Sequence, residues 1–353
     1  MLNYSLKVFF IILKLKMPLK LKDIAKALGL SVTTISKVIN NYPDISQTTK
    51  KKVLEYVKQN KYKPNLQASF LRTNESKLVG IILPSLNHYF FNSVLEGLVD
   101  NAMKNNYMVI VLQSNEKYKK EKKLVEQLLN LNVDGIFITV SQETRNFDHL
   151  IEIQKNNKTL ILFDKIEKSI NCSKVIINDK QAGFIATEHL IKRGCKKILH
   201  FRGGLLPQIS IDRFLGYRSA LEHYKIPYDP KRVFICENGN DDEGYLNAKK
   251  VIEEGIEFDG LFAISDLIAL GAIRYFNKKN ISIPDQVAVV GFSNWKVSKL
   301  TTPTLTTINQ PGKLMGEKMF DLFLKGFKAN KNKEKINFET IIIPSNLIVR
   351  NSS

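Results

Sequence analysis

From Leu78 onward, short and continuously apolar runs alternate with longer stretches in which apolar residues recur at helical spacing. Apolar runs flanked by amphipathic helices predict parallel strands covered on both faces. The runs fall into two sets, which predicts two doubly wound α/β lobes with a cleft between them. The predicted strands are, in chain order, 79–83, 109–112, 135–139, 160–163 and 175–177, then 197–201, 232–235, 260–264, 287–291 and 306–309.

The segment before the lobes has the pattern of short helices. Apolar residues spaced i, i+3, i+4 and i+7 predict a first helix, namely Leu21, Ile24, Ala25 and Leu28. Gly29 is expected to end this helix, because glycine tolerates the left-handed conformation. Ser31 then fits the N-cap position of a second helix over residues 32–40. Two helices joined by a short turn that contains glycine form the helix-turn-helix arrangement.

A third helix is predicted from Gln47 to Asn60, with Ser46 as its N-cap. Its spacing places Val53, Leu54 and Val57 toward the core. The segment from 18 to 63 is therefore expected to be a small all-α domain.

The outer face of the second helix carries candidate chemistry, because five residues share one side: Val32, Thr33, Ser36, Lys37 and Asn40. Such a face suits the major groove of DNA. Lys37 has the chemistry to donate to guanine O6 and N7, and Val32 to touch a thymine methyl group. The alternative is an ordinary solvated helix face, and the motif alone does not decide between the two.

Charge favours a polyanionic partner. The chain has 53 Lys and Arg against 34 Asp and Glu, a net charge of +19. Residues 1–77 contain fifteen basic and four acidic residues, so they carry +11 of this excess. Nucleic acid is the first expectation and an anionic membrane surface the second. A lysine-rich coding bias could account for the remaining +8, but accounts less well for the concentration near the N-terminus.

The first seventeen residues contain one apolar run, Val8–Leu13. A membrane-spanning helix needs about 20 apolar residues, and a secretory segment about 7–15 followed by small residues. The run is shorter, and Lys14–Pro18 follows it. We therefore expect residues 1–17 to be a non-functional extension, with Met17 as an alternative start. A membrane-surface anchor and a signal peptide are less favoured alternatives.

The three cysteines lie far apart, at 172, 195 and 236, which fits a reducing compartment and a cytoplasmic location. The sequence contains no phosphate-binding G-x-x-x-x-G-K-[ST], no G-x-S-x-G and no H-E-x-x-H. The acidic residues 241–243 lack the glycine and glutamate spacing of a calcium loop and are interpreted as a solvated loop. We therefore predict no catalytic residues, no metal site and no cofactor.

Three stretches resemble the LacI/GalR family of bacterial transcription regulators: "LKDIAKALGLSVTTISKVINN", "ISQTTKKKVLEYVKQNKYKPN" and "FLRTNESKLVGIILP". The resemblance extends over about residues 20–353. It implies two lobes arranged as in periplasmic sugar-binding proteins, with the chain crossing between them near 177, 307 and 340. The expected domains are a helix-turn-helix domain (18–63), a hinge (64–76) and an effector-binding and dimerisation domain (77–353). Lobe 1 would comprise about 77–176 and 308–339, and lobe 2 about 177–307 and 340–353.

The resemblance also implies how the hinge acts. In the family, this segment becomes helical on the operator, and a leucine pair wedges into the minor groove and kinks the DNA. The matching residue is Leu71, with Arg72 following it at the phosphates. The alternative for Leu71 is a linker residue that packs on the next domain.

Ligands of doubly wound sheets bind outside the carboxyl ends of the strands. The residues at those positions predict an effector site, in which aromatic rings and polar groups would suit a sugar: Asn87, Phe90, Phe91, Ser141, Asp164, Ser210, Arg213, Asp266, Asn294 and Trp295. Arg213 in "SIDRFLGY" and Asp266 in "FAISDLIALGAI" match family positions that contact effector. A salt bridge or a helix cap is the alternative for these two, and core or interface packing for Phe90, Phe91 and Trp295.

The combined expectation is a homodimeric repressor that binds a double-stranded DNA operator and responds to a small molecule, most simply a sugar or sugar derivative. A periplasmic-type sugar-binding protein for a transporter is the alternative, but it has no use for residues 20–73. An enzyme on the same scaffold lacks any matching motif.

Overall fold

A computed structural model of the chain describes residues 19–39, 41–62 and 75–353. The expected extension 1–17 lies outside the described residues, as do Asn40, Leu71 and Arg72. The chain divides into two compact units, and the division along the sequence lies between Glu75 and Ser76.

The first unit contains the three helices that the sequence predicts. They are α1 (Leu21–Leu28), α2 (Val32–Ile39) and α3 (Gln47–Gln59). Their small core consists of Ile24, Ala25, Ile35, Val38 and Val53, all of which are buried.

The predicted helix ends are confirmed by their backbone geometry. Gly29 follows α1 with φ 66° and ψ 31°, the left-handed conformation that glycine adopts without strain. The Ser31 hydroxyl accepts a hydrogen bond from the Thr34 amide at 3.0 Å. The Ser46 hydroxyl accepts one from the Thr49 amide at 3.3 Å, so each cap satisfies an amide that the helix leaves unpaired.

One expected core position in α3 is wrong. Val53 is fully buried and Val57 packs partly against the core, but Leu54 is 51% exposed. Successive helical residues point about 100° apart, so a single helix face that buries Val53 turns its neighbour toward solvent.

In the second unit the strands form two six-stranded sheets. The strands are β1 (Leu78–Leu83), β2 (Met108–Gln113), β3 (Gly135–Ile138), β4 (Thr159–Phe163), β5 (Ser173–Ile177), β6 (Ile198–Gly203), β7 (Val233–Cys236), β8 (Gly260–Ala263), β9 (Ala288–Phe292), β10 (Thr306–Asn309), β11 (Thr340–Ile343) and β12 (Asn346–Ile348).

Helices cover both faces of these sheets. They are α4 (Tyr89–Lys104), α5 (Tyr118–Asn130), α6 (Asp148–Lys155), α7 (Asp179–Lys192), α8 (Gln208–His223), α9 (Asp241–Glu253), α10 (Asp266–Lys278) and α11 (Gly312–Asn332). Among the described residues, no helix is both long and apolar enough to cross a bilayer.

The order of strands confirms two doubly wound lobes. The first sheet runs β11-β5-β4-β3-β1-β2 with every neighbouring pair parallel. The second runs β12-β10-β9-β8-β6-β7, parallel except for the antiparallel edge pair β10 and β12. Parallel strands need crossover helices, and these bury each sheet on both faces.

The edge strands β11 and β12 are not among the predicted strands, and β11 shifts a lobe boundary. β11 pairs with β5 in the first lobe, with Thr340 opposite Lys174. The chain therefore crosses to the second lobe after Ile343, between β11 and β12, a few residues beyond the expected 340. Residues 340–343 belong to lobe 1.

The acidic segment at 241–243 is not a loop. Asp241, Asp242 and Glu243 form the first turn of α9, and the Asn240 side chain caps it by accepting from the Glu243 amide at 2.9 Å. Arg274 of α10 forms ion pairs with both aspartates. Acidic residues in a first turn are favoured by the helix dipole, which explains their clustering.

Paired glycines let α9 and α10 cross at close range. A Cβ atom on Gly271 would lie 1.8 Å from the Asp241 carbonyl oxygen, and one on Gly244 would lie 2.1 Å from the Ile268 carbonyl oxygen. Both obstacles are backbone atoms, which cannot turn aside as a side chain can. The helix pairs α4–α11 and α7–α8 cross in the same reciprocal way.

We expect Gly271→Ala to destabilise the second unit by about 1–3 kcal/mol or more, because the methyl group overpacks the helix crossing. Thermal unfolding followed by circular dichroism measures the loss. Lys278→Ala, an exposed change in the same helix, is the control and should leave the unfolding temperature nearly unchanged. Equal unfolding temperatures for Gly271→Ala and the wild type would contradict this account of the crossing.

Candidate functional site

The outer face of α2 is open for contact. Ile35 and Val38 face the core, while Val32 is 46% exposed and Thr33 is also exposed. Lys37 is partly exposed, with 39% of its side-chain surface accessible. The helix therefore buries one face against α1 and α3 and leaves the other, short and polar, available to a partner.

Lys37 already has an ionic partner on this face. Its ammonium group forms an ion pair with the carboxylate of Asp44, in the loop that follows α2. The hydrogen bond from Lys37 holds the pKa of Asp44 below its ordinary value. A phosphate or base edge that approaches Lys37 therefore meets the Asp44 carboxylate as a competing, negatively charged neighbour.

We expect Asp44→Asn to raise the affinity for random duplex DNA severalfold, because it frees Lys37 and removes a negative charge near the expected DNA surface. Fluorescence anisotropy with a labelled random duplex measures the change. Glu55→Gln removes one negative charge from α3 without touching Lys37, and it should have a smaller effect. A result in which both variants gain equally would show that only net charge matters.

The second unit contains a cavity of about 170 Å³ at the carboxyl ends of strands from both sheets. Pockets for drug-sized ligands have volumes of about 300–1,000 Å³. The volume of this cavity is smaller, so the cavity suits a small metabolite. Lobe 1 contributes His88, Phe90, Phe91, Glu116, Gln142, Asp164 and Lys165. Lobe 2 contributes Gly203, Gly204, Pro207, Ile209, Ser210, Arg213, Cys236, Glu237, Asn238, Gly239, Ile264, Ser265 and Ser293, and Gln310 lies where the chain crosses back.

Half of the expected effector residues line this cavity, namely Phe90, Phe91, Asp164, Ser210 and Arg213. The other half do not, namely Asn87, Ser141, Asp266, Asn294 and Trp295. The strand-end rule therefore locates the cavity, but it does not say which way each side chain turns.

Arg213 is fixed by several neighbours at the cavity wall. Its Nε donates to Asp179 Oδ1 at 2.7 Å, and its Nη1 donates to the Ile264 carbonyl oxygen at 3.1 Å. The guanidinium carbon lies 3.6 Å from the centroid of the Phe292 ring. Burial raises the pKa of Asp179 to about 6, although Arg213 opposes the shift. The side chain is thus held in one orientation, with donors to spare for a ligand.

Asp164 is the second charged group at the wall, and 9% of its surface is exposed. Burial raises its pKa, while the neighbouring charges of Arg213 and Lys165 lower it. Its φ of 55° is left-handed, a conformation that aspartate tolerates better than most residues. A carboxylate here is an acceptor for a ligand hydroxyl group.

Three polar atoms at the wall are buried and have no hydrogen-bond partner among the described residues. They are Nδ1 of His88, Oγ of Ser210 and Nε2 of Gln310. Gln310 is held by the Ser293 hydroxyl, which donates to its carbonyl oxygen at 2.6 Å. Burial lowers the pKa of His88 to about 3, so this ring is neutral. Buried polar groups without partners are costly, so these three atoms are candidates for hydrogen bonds to a bound molecule.

Asp266, whose contact with effector stays a prediction, does not line this cavity. It is fully buried, and its carboxylate accepts hydrogen bonds from the Trp295 amide and the Thr307 hydroxyl, both at 2.6 Å. Burial raises its pKa to about 7 against these bonds. The side chain ties the start of α10 to β10 and to the loop after β9.

Three of the other residues outside this cavity also have partners, and Ser141 lines a neighbouring cavity. Ser141 donates its amide to Glu121 and its hydroxyl to Ser114. Asn294 accepts from Arg350 at 2.6 Å, and Trp295 packs edge-on against His88 with ring centroids 4.4 Å apart. Trp295 therefore borders the cavity through His88.

Comparisons with known proteins decide the family. Residues 76–351 match the family model described as periplasmic binding proteins and sugar binding domain of LacI family. Residues 20–65 match the model of bacterial regulatory proteins, lacI family. The chain belongs to the lacI family of bacterial regulatory proteins. The second match also decides against a transporter's binding protein, which has no DNA-binding domain.

Relatives of this lacI-family regulator are themselves transcription regulators. It is 30% identical over 319 residues to the transcriptional repressor PurR of Vibrio atlanticus, covering 90% of this chain and 95% of the relative. It is 30% identical over 334 residues to the transcriptional regulator MalR of Streptococcus pneumoniae, covering 92% and 98%.

Solved structures agree with the fold of the regulator. The Lac repressor dimer bound to operator and an anti-inducer is 23% identical, covers 95% of this chain and 99% of its own, and has a TM-score of 0.83. The regulator CcpA of Lactococcus lactis is 25% identical, covers 78% and 98%, and has a TM-score of 0.70.

Several polar residues of the regulator's cavity were not predicted, among them Glu116, Gln142 and Glu237, whereas Lys165 is expected at a strand end beside Asp164. The Lys165 ammonium pairs with Glu116, which also accepts from the Gln142 amide at 2.6 Å. Gln142 Nε2 donates to Glu237 across the lobes at 3.2 Å. Each of these residues follows a strand, which was the available signal. Among the described residues, no group of His, Cys, Asp and Glu side chains is arranged to hold a metal ion.

Proposed function

We propose that this regulator binds its operator as a homodimer, in the cytoplasm, and that a neutral sugar or sugar derivative in the interlobe cavity sets its operator affinity. The observation that carries the sugar assignment is the set of three buried, unpartnered polar atoms at the cavity wall. A ligand with several hydroxyl groups offers each of them a donor or an acceptor.

The charges of the cavity favour a neutral ligand. Arg213 is already paired with Asp179, and Lys165 with Glu116, so both cations are largely neutralised. Asp164 adds a carboxylate to the wall. An anionic ligand would enter next to the Asp164 carboxylate, whereas a ligand hydroxyl group can donate to that carboxylate. Phe90 and Phe91 supply flat apolar surfaces for the faces of a sugar ring.

For the DNA, we propose that α2 enters the major groove, with Val32, Thr33, Ser36, Lys37 and Asn40 toward the bases. A dimer would then read two half-sites about one helical turn apart. The proposed hinge at 64–76 adds Leu71 as a minor-groove wedge and Arg72 at the phosphates. Two-fold symmetry of the protein requires an approximately palindromic operator.

Ligand control follows if the sugar binds the two lobe arrangements with different affinities. One arrangement would bring the two hinges together for DNA binding, and the other would separate them. A coupling free energy of about 1–3 kcal/mol would change operator affinity about 5- to 150-fold. Nothing in this scheme requires catalysis, and we assign the chain no enzymatic step.

We expect Asp164→Ala to weaken sugar binding about 10- to 150-fold, the loss of one hydrogen bond to a charged group. Operator affinity without sugar should stay unchanged, because the DNA contacts lie in another unit. Isothermal titration with the sugar and anisotropy with the operator separate the two. Asp148→Ala, an exposed change in the same lobe, is the control. Unchanged sugar affinity in Asp164→Ala would contradict the proposed contact between Asp164 and the sugar.

A further inference from the structure

A second cavity of about 200 Å³ lies beside the first, also between the lobes. The two cavities share three wall residues, Gln142, Lys165 and Pro207. They are therefore neighbours in one cleft, and we call these three shared wall residues the partition.

The partition is made of groups that have already satisfied their charges. The Lys165 ammonium pairs with Glu116, and Gln142 bridges Glu116 and Glu237 by its amide groups. A linking oxygen of a ligand that passes this partition would meet hydrogen-bond donors and not an unpaired charge.

The walls of the second cavity are apolar on two opposite sides. Phe147 and Ile166 of lobe 1 form one side, and Leu206 and Pro207 of lobe 2 form the other. Leu206 is 61% exposed and is therefore accessible to a bound molecule. Two apolar surfaces that face each other across a cleft suit a flat ring with apolar faces, such as a pyranose.

The rim of the second cavity supplies hydrogen-bond donors. Arg145 Nη1 donates to the carbonyl oxygens of Gln142 and Thr144 at 2.6 and 2.9 Å, which fixes the guanidinium group at the edge. Lys168 and Gln208 complete this edge. Ring hydroxyl groups point outward from a pyranose, toward donors and acceptors placed in this way.

We propose that the second cavity is a subsite for a second sugar unit, so that the effector is a disaccharide or a larger glycoside and not a free monosaccharide. This inference rests on the proposed sugar-binding function. The first cavity takes one ring, the partition meets the glycosidic oxygen, and the second cavity takes the next ring between the two apolar walls.

Trp295 provides the measurement, because it is the one tryptophan of the chain and touches His88 at the wall of the first cavity. Its fluorescence in the full-length protein is titrated with glucose, galactose and mannose, and with maltose, cellobiose, lactose and mannobiose. We expect one disaccharide to bind at least about tenfold more tightly than its own monosaccharides, from the extra apolar surface buried.

Two adjacent leucines give a matched pair of variants. Leu206 lines the second cavity, whereas Leu205 is similarly exposed, at 57%, but lines neither cavity. We expect Leu206→Ala to weaken the disaccharide about threefold or more while leaving its monosaccharides unchanged. Leu205→Ala should change neither affinity. Both positions are exposed, so neither variant endangers folding.

The outcomes separate the two proposals. A monosaccharide that binds within about threefold of every disaccharide containing it would overturn the second subsite and keep the sugar function. Equal effects of Leu205→Ala and Leu206→Ala would also overturn the subsite. If no sugar in the panel binds, the proposed sugar function fails, and the subsite fails with it.

Discussion

Operator affinity of the dimer is expected to fall by about 10³- to 10⁵-fold between 50 and 200 mM salt, if about 6–10 phosphates are neutralised. The physical source is the release of counterions from DNA. Residues 1–77 carry a net charge of +11, and lysines of α1 and α3 are exposed, among them Lys22, Lys26, Lys51, Lys52 and Lys58. Binding titrations at stepped salt concentrations give the slope of log affinity against log salt.

A single lysine tests which surface carries this dependence. We expect Lys51→Ala to reduce the salt slope by about 1 for each subunit that contacts a phosphate through it. Lys122→Ala, an exposed change in α5 of the second unit, should leave the slope intact. A nearly flat dependence in the wild type, or equal losses in both variants, would contradict DNA binding through the first unit.

Glu121→Ala should destabilise lobe 1 by about 3–5 kcal/mol, the cost of breaking a buried ionic group. Glu121 is fully buried in α5, and its carboxylate accepts from the Ser141 amide at 2.5 Å and the Thr144 hydroxyl at 3.0 Å. His149 Nε2 lies 2.8 Å from it. Removing the carboxylate leaves all three of these groups without their hydrogen-bond partner. Chemical denaturation measures the difference, with the exposed Glu126→Ala of the same helix as control.

The contribution of Glu121 should depend on pH with a definite sign. Burial alone would raise its pKa, but hydrogen bonds from His149 and Ser141 hold the pKa below the ordinary value of 4.5. A lowered folded-state pKa stabilises the protein above the ordinary value, and this stabilisation is lost as the pH falls through the folded-state pKa. The stability gap between wild type and Glu121→Ala should therefore narrow in acid. A gap that widens in acid would contradict the assigned shift.

The sequence predicted β1–β10 because most of these strands contain an apolar run that can be recognised without knowledge of its partner strand. β11 and β12 were not predicted because they are short edge strands, of four and three residues, and are only partly buried. Their pairing is also remote, since Thr340 lies opposite Lys174. No local spacing specifies a partner so far along the chain.

The sequence predicted which strand ends form the site, but not the direction in which each side chain points. After β9, Ser293 and Asn294 both adopt positive φ, at 99° and 50°, and the turn directs Asn294 to Arg350. The Asp266 carboxylate accepts hydrogen bonds from Thr307 in β10 and from Trp295 in the loop after β9. Such directions depend on neighbours brought together by the fold. Asp164 was predicted because it follows a strand. Arg213 was predicted because it also lies in a family motif.

The late entry of α11 and β11 into lobe 1 has a consequence for synthesis on the ribosome. Helices α1–α3 are complete at residue 59, whereas lobe 1 must wait for Ile343, about 280 residues later. At 5–20 residues per second this delay is roughly 15–55 s. During it, the face of α4 that α11 will cover and the edge of β5 that β11 will close stay open. A nascent chain thus displays its DNA-reading helices before its sensor exists, with exposed surfaces on which chaperones act.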